Sequence, residues 1–143
     1  MSYEVRKATR EDAPALEALW KDWVDSKRGT RGFSELYPGT PDEIAWEWLL
    51  LEHTVLLVED AGVLSAFASL TPDVIAPEVV QLQPFAFKDS ASGVALLEFA
   101  SDVVRGAGGA RVEYAALAGD RVFKAVGEET GFKGAYVLLS RPL

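Results

Sequence analysis

The sequence predicts an α/β domain, and three observations carry that expectation. Runs of β-branched and aromatic residues alternate along the chain with apolar residues spaced three or four apart, the separate periods of strands and helices. Residues 54–70 hold two apolar runs joined by Asp60-Ala61-Gly62, the pattern of a hairpin. Val79 to Val104, VVQLQPFAFKDSASGVALLEFASDVV, passes from a buried strand through small polar residues into an amphipathic helix.

Length and composition bound the problem. The 143 residues suit one domain spanning 1–143, with 49% hydrophobic and 25% charged residues, an ordinary globular balance. A net charge of −8 opposes nucleic acid as the main partner, because phosphate backbones repel an acidic surface. It suits a cationic small molecule or peptide amine, and equally a surface that is acidic for solubility alone. Cysteine is absent and His53 is the one histidine, which excludes disulfides and a cysteine nucleophile and disfavours a metal centre. The charged start MSYEVRKATRED has no signal-like apolar segment, and no apolar run reaches the ~20 residues that span a bilayer. The expectation is a soluble cytoplasmic protein without a membrane partner; a second copy of the chain remains an open partner.

In chain order, Tyr3–Lys7 alternates as a first strand. Thr9 and Asp12 form a capping pair, and Leu16, Leu19, Trp20, Trp23 and Val24 give the following helix one buried face. The pattern dissolves over Asp25–Thr40, which holds Lys27, Arg28, Arg31, Phe33 and Tyr37, a loop of a length that often carries function. Thr40, Pro41 and Glu43 predict a second helix starting at Pro41, with Ile44, Ala45, Trp48 and Leu49 buried and Trp46 off that face. Thr54–Val58 and Val63–Leu70 form the hairpin strands, and Thr71–Pro77 is a turn-rich link.

The next strand changes parity. Val80 and Leu82 share one face, whereas Phe85 and Phe87 fall on the other unless one extra residue intervenes at Gln83-Pro84. A β-bulge does that, and proline, which donates no ladder hydrogen bond, fits a bulge or a strand splaying from its neighbour. A splayed strand leaves backbone groups open to an extended amide-containing ligand. The loop Lys88–Gly93 then opens a helix whose face is Leu96, Leu97, Ala100, Val103 and Val104, and free N–H groups at such a helix start attract phosphate. Gly106–Gly109 stops the helix, Arg111–Leu117 alternates as a strand, and Asp120 caps a helix with Val122, Phe123 and Val126 inward and Gly131 at its end. Ala135–Ser140 is the last strand, giving the order β-α-α-β-β-β-α-β-α-β.

Over essentially its whole length the chain resembles the GNAT-superfamily N-acetyltransferases. YEVRKATREDAPALEALW is similar to that family's Ile/Val-Arg-x-Ala-Thr-x-x-Asp opening, and DRVFKAVGEETGF to its Asn-x-x-Ala…Tyr-Glu-x-x-Gly-Phe phrase. The family's acyl-CoA diphosphate loop, Gln/Arg-x-x-Gly-x-Gly/Ala, is matched by Lys88-x-x-Ala91-x-Gly93. The resemblance implies a mixed, mostly antiparallel sheet with a bulged central strand and helices on both faces. It implies acetyl-CoA as cosubstrate and transfer of its acetyl group to the amine of a small molecule or peptide. The implied cofactor-binding residues are Phe85, Ala86, Phe87, Lys88, Ala91, Ser92, Gly93, Val94 and Asp120, with a backbone N–H near Phe85 or Ala86 holding the oxyanion. Glu78 is the nearest match to the family's catalytic glutamate.

Three positions depart from the family pattern. Ala91 replaces a glycine, Asp89 adds negative charge beside the anion site, and Gly127 stands where relatives carry the tyrosine that protonates the leaving thiolate. They motivate the alternative of a non-catalytic GNAT-fold protein that binds a ligand or partner. On that alternative, glycine at 91 and tyrosine at 127 would create CoA binding or activity.

Overall fold

A computed structural model describes residues 3–135 and 139–141. Its sheet runs β1 (Tyr3–Lys7), β2 (Thr54–Asp60), β3 (Val63–Pro72), β4 (Val79–Phe87) and β5 (Arg111–Glu113), in that spatial order. Pairs β1–β2, β2–β3 and β3–β4 are antiparallel, and β4–β5 is parallel. The sheet is therefore mixed and mostly antiparallel. Val55–Val58 and Ser65–Ser69 are buried without interruption, which requires cover on both faces of the sheet.

The hairpin β2–β3 turns through Ala61 (φ 51°) and Gly62 (φ 80°), the two left-handed positions of a tight two-residue turn. In β4 the bulge is present: Ala68 faces Phe85 and Leu70 faces Leu82, so two steps on β3 match three on β4. Val80, Leu82, Phe85 and Phe87 are all buried, and the Gln83-Pro84 peptide is cis.

Among the described residues five α-helices surround the sheet, α1 (Ala13–Lys27), α2 (Phe33–Leu36), α3 (Trp46–Glu52), α4 (Ser90–Gly106) and α5 (Arg121–Glu129), with a 3-10 turn at Arg10–Asp12 ahead of α1. The Asp12 carboxylate accepts the Thr9 N–H at 2.7 Å, and α1 follows with all five expected residues buried. Trp20 of α1 and Trp46 of α3 both meet the Phe67 ring edge-on, at 6.2 and 5.6 Å. This is the centre of the core on that face.

Several expectations are corrected. The second helix begins at Trp46, not Pro41, because residues after Thr40 close a turn instead, with the Glu43 N–H bonded to the Thr40 carbonyl at 3.0 Å. Its face is correspondingly rotated: Trp46 is 6% exposed and Trp48 57%. The Asp25–Thr40 segment is not all loop, since α1 continues to Lys27 and α2 adds one short turn. The Lys88–Gly93 loop is shorter than expected, with α4 already running from Ser90. Strand β5 ends at Glu113 instead of Leu117, because the bulge turns β4 away and leaves residues beyond 113 without a ladder to β4 among the described residues. Val122 is exposed, while Phe123 and Val126 are buried as expected. The final strand expected at Ala135–Ser140 falls in part on residues 136–138, outside the described residues; Ala135, Leu139 and Ser140 are not in a strand.

Candidate active site

The parallel pair β4–β5 is held only by Val79–Arg111, Val80–Val112 and Gln81–Glu113. Beyond these the strands part, and the bulge at Gln83-Pro84 lies at the start of the opening. Among the described residues, β4 has no strand partner on its β5 side from Leu82 onward. Such a backbone is able to pair with an extended ligand that carries amides.

The end of β4 leads straight into α4. Asp89 is its N-cap, and the carboxylate accepts the Ser92 N–H at 2.9 Å. The Gly93 N–H bonds to the Asp89 carbonyl at 3.1 Å. Ser90 and Ala91, the first two residues of the helix, have N–H groups with no intrahelical acceptor and are exposed. Lys88, two residues before Ser90, donates its backbone N–H to the Ser65 carbonyl at 2.8 Å and has an exposed side chain. Two amides and one ammonium are therefore available to an anion, with the Asp89 carboxylate opposing it.

Other expected binding residues are committed to packing. The Ser92 hydroxyl is 0% exposed and donates to the Asp89 and Ser65 carbonyls at 2.9 and 3.2 Å. Gly93 is buried against the Phe87 ring, where a Cβ would stand 2.8 Å from the nearest ring carbon. Phe85, Ala86 and Phe87 are buried, and Val94 is half-buried. Glu78 is exposed at the paired end of β4, its carbonyl accepting the Ala110 and Arg111 N–H groups at 2.7 and 3.2 Å. Seven residues of extended strand put it about 20 Å from Phe85. The structure thus gathers the expected residues between Phe85 and Val94 at one end of β4, leaves Glu78 at the opposite end and sets Asp120 apart at the start of α5.

Asp120 caps α5, accepting the Phe123 N–H at 3.1 Å. Its second oxygen faces Lys27 Nζ at 2.7 Å, as an ion pair and not an aligned hydrogen bond. Sequence reasoning placed Lys27 only in a basic cluster, although its position four residues after Trp23 was a usable signal: the ammonium lies 4.1 Å from the Trp23 ring centroid. Tyr37 is buried with its hydroxyl accepting the Trp23 indole N–H at 3.3 Å, and burial pushes its phenol pKa up.

Tyr114, just past β5, donates its hydroxyl to the Phe123 carbonyl inside α5. Burial pushes its pKa up to about 12, opposed by a hydrogen bond from the Gly127 backbone. A phenol so weakly acidic is mismatched to a thiolate, whose conjugate acid has a pKa near 8.5, so its proton transfer would run uphill. Gly127 is the complement of this tyrosine, since a Cβ there would collide with the Tyr114 hydroxyl. A side chain at 127 therefore requires the Tyr114 ring to shift.

Among the described residues no group of three or more His, Cys, Asp or Glu is arranged to hold a metal ion, and no helix is long and apolar enough to cross a membrane. Neither a protein-family profile nor a curated protein matches the chain. Solved structures do match. A ribosomal-protein-alanine N-acetyltransferase from Brucella melitensis biovar Abortus 2308 is similar at 12% identity and TM-score 0.71, with 100% of both chains covered. PaiA N-acetyltransferase from Thermoplasma acidophilum, solved in complex with coenzyme A, is similar at 17% identity and TM-score 0.69, covering 93% of this chain and 91% of its own. A GNAT-family acetyltransferase from Streptococcus pneumoniae is similar at 18% identity and TM-score 0.70, with 98% and 94% covered. Sheet order, bulge and splay, together with these likenesses over nearly the full chain, give the protein the fold of the GNAT acetyltransferases.

Proposed function

We propose that the protein is an acetyl-CoA-dependent N-acetyltransferase acting on the amine of a small molecule or peptide. One observation carries the reading: β4 is bulged and parts from β5 just ahead of α4, in a fold shared with a CoA-bound N-acetyltransferase. The residues present fit the cosubstrate in part. Lys88 and the Ser90 and Ala91 N–H groups suit a diphosphate, and the edge of β4 beyond Gln81, unpaired on its β5 side among the described residues, suits the amides of its pantetheine arm.

When bound, acetyl-CoA supplies the thioester carbonyl that the amine attacks. The chain's own contribution is orientation along β4 and a backbone N–H near Phe85 or Ala86 directed at the developing oxyanion. The acceptor must lose a proton to attack, and with Glu78 about 20 Å away along the strand the reading assigns that proton to water.

Asp89 at the α4 N-terminus favours a second reading, a GNAT-fold protein that binds a ligand or partner without catalysis, because its carboxylate already takes one amide and opposes an anion. Calorimetry with CoA and acetyl-CoA separates the two, combined with thiol release in the presence of amines. The enzymatic reading expects micromolar binding and amine-dependent release of CoA. Binding without release favours the second reading, and no binding at millimolar ligand removes the first. Lys88→Glu is expected to weaken CoA binding about tenfold, the scale of one charge-assisted contact, with thermal stability unchanged.

A further inference from the structure

The opening between β4 and β5 is filled by the chain's own rings. Phe123 of α5 lies 5.0 Å from Phe85 on β4 and 4.6 Å from Tyr114 beyond β5, measured between centroids, and Phe85 and Tyr114 are 5.3 Å apart. These three rings bridge strands whose backbones have separated. The void left beside the bulge, between Trp20, Tyr37, Gln83, Phe85, Ala115 and Phe123, measures only 10 Å³. That is space for about one water molecule. An extended ligand entering there must displace a ring.

Phe123 is held in place from one end of its helix. Asp120, three residues earlier, caps α5 through the Phe123 N–H itself and pairs with Lys27 at the last turn of α1. The two side chains are 6% and 14% exposed, so water competes weakly for the pair. Each charge also sits at the favourable helix end, the anion at the α5 N-terminus and the cation at the α1 C-terminus. Trp23 completes the arrangement, its ring below the Lys27 ammonium and 5.0 Å from Phe123.

We infer that the Lys27–Asp120 pair is a latch that keeps Phe123 in the strand opening, so that cosubstrate binding is coupled to release of the first turn of α5. The inference rests on the acetyltransferase reading for the identity of the incoming ligand. It also changes the role of Asp120, from a ligand-binding group to one that must let go for the ligand to enter. A latched state lowers apparent affinity by the fraction of open molecules, so weakening the latch raises affinity.

The test uses CoA as the probe, with calorimetry on the full chain, and hydrogen exchange on the amides of residues 121–125. Lys27→Met keeps an aliphatic stem over Trp23 and removes the charge; Phe123→Leu keeps the core apolar and shortens the plug. Both are expected to bind CoA at least fivefold more tightly than the native chain, and Lys27→Met to exchange faster across those amides without ligand. Val55→Ala, in β2 and away from the opening, serves as a control for general destabilisation and is expected to leave affinity unchanged. If the native chain binds CoA and both variants bind equally or more weakly, or if Val55→Ala strengthens binding as much, the latch is overturned while the acetyltransferase reading stands. Failure of all the proteins to bind CoA overturns both.

Discussion

Gly127 and Tyr114 form a matched pair whose logic lies in a few atoms. A methyl group on Gly127 would collide with the Tyr114 hydroxyl and stand 2.9 Å from the ring carbon that bears it. Gly127→Ala is therefore expected to destabilise the fold by about 1–3 kcal/mol, the range for overpacking, although alanine is the better helix former. Tyr114→Phe removes the hydroxyl and its bond to the Phe123 carbonyl, at a cost of about 1 kcal/mol. In the double variant the alanine meets less obstruction, so its added cost should fall below its cost alone. Urea denaturation of the four proteins measures this coupling, and strict additivity would show that the two residues do not touch. The departure from the family pattern at 127 is thus explained by local packing.

At the scale of elements, α3 and α4 test what decides where a helix begins. Thr40-Pro41-x-Glu43 is a sound capping sequence, yet α3 starts at Trp46, where the indole reaches Phe67 on β3. A contact with a residue 21 positions away overrides the local signal. Trp46→Ala is expected to cost about 3–5 kcal/mol and Trp48→Ala less than about 0.5 kcal/mol, the reverse of what the cap at Thr40 predicts. Thermal or urea melts of the two variants decide between the faces. In α4 the cap was written in the sequence as Asp89 and Ser92, but the composition of the loop pointed to anion binding instead. Asp89→Ser keeps a capping oxygen and removes the charge, so CoA affinity should rise several-fold while stability changes by less than about 1 kcal/mol. Unchanged affinity in calorimetry would show that the diphosphate does not lie at this helix start.

For the whole molecule, what could be read from the sequence was what depends on period and parity. The hairpin, the bulge and the buried faces of α1 and α4 all follow from spacing along the chain, and the register Ala68–Phe85 and Leu70–Leu82 reproduces the parity change seen in the residues. The early end of β5 could not be read, because Arg111–Leu117 alternates correctly and lacks only a partner once β4 turns aside. The filling of the strand opening was equally hidden, since Phe123 and Phe85 are brought together by two elements that lie between them in sequence. The sheet order has a further consequence. Four of its five strands join through antiparallel ladders, while β5 must wait for the whole of α4 to cross over before it has anything to pair with. Three residue pairs then secure it. Folding should therefore proceed outward from β2–β3, with β5 and α5 docking last and opening first, as a separate cooperative unit of low stability. Native-state exchange is expected to show β2–β3 amides protected at the global free energy and those of Arg111–Glu113 released well below it. The late-forming corner of the molecule would then be the corner a ligand has to enter, and the energy needed to admit it would already be contained in the way the chain folds.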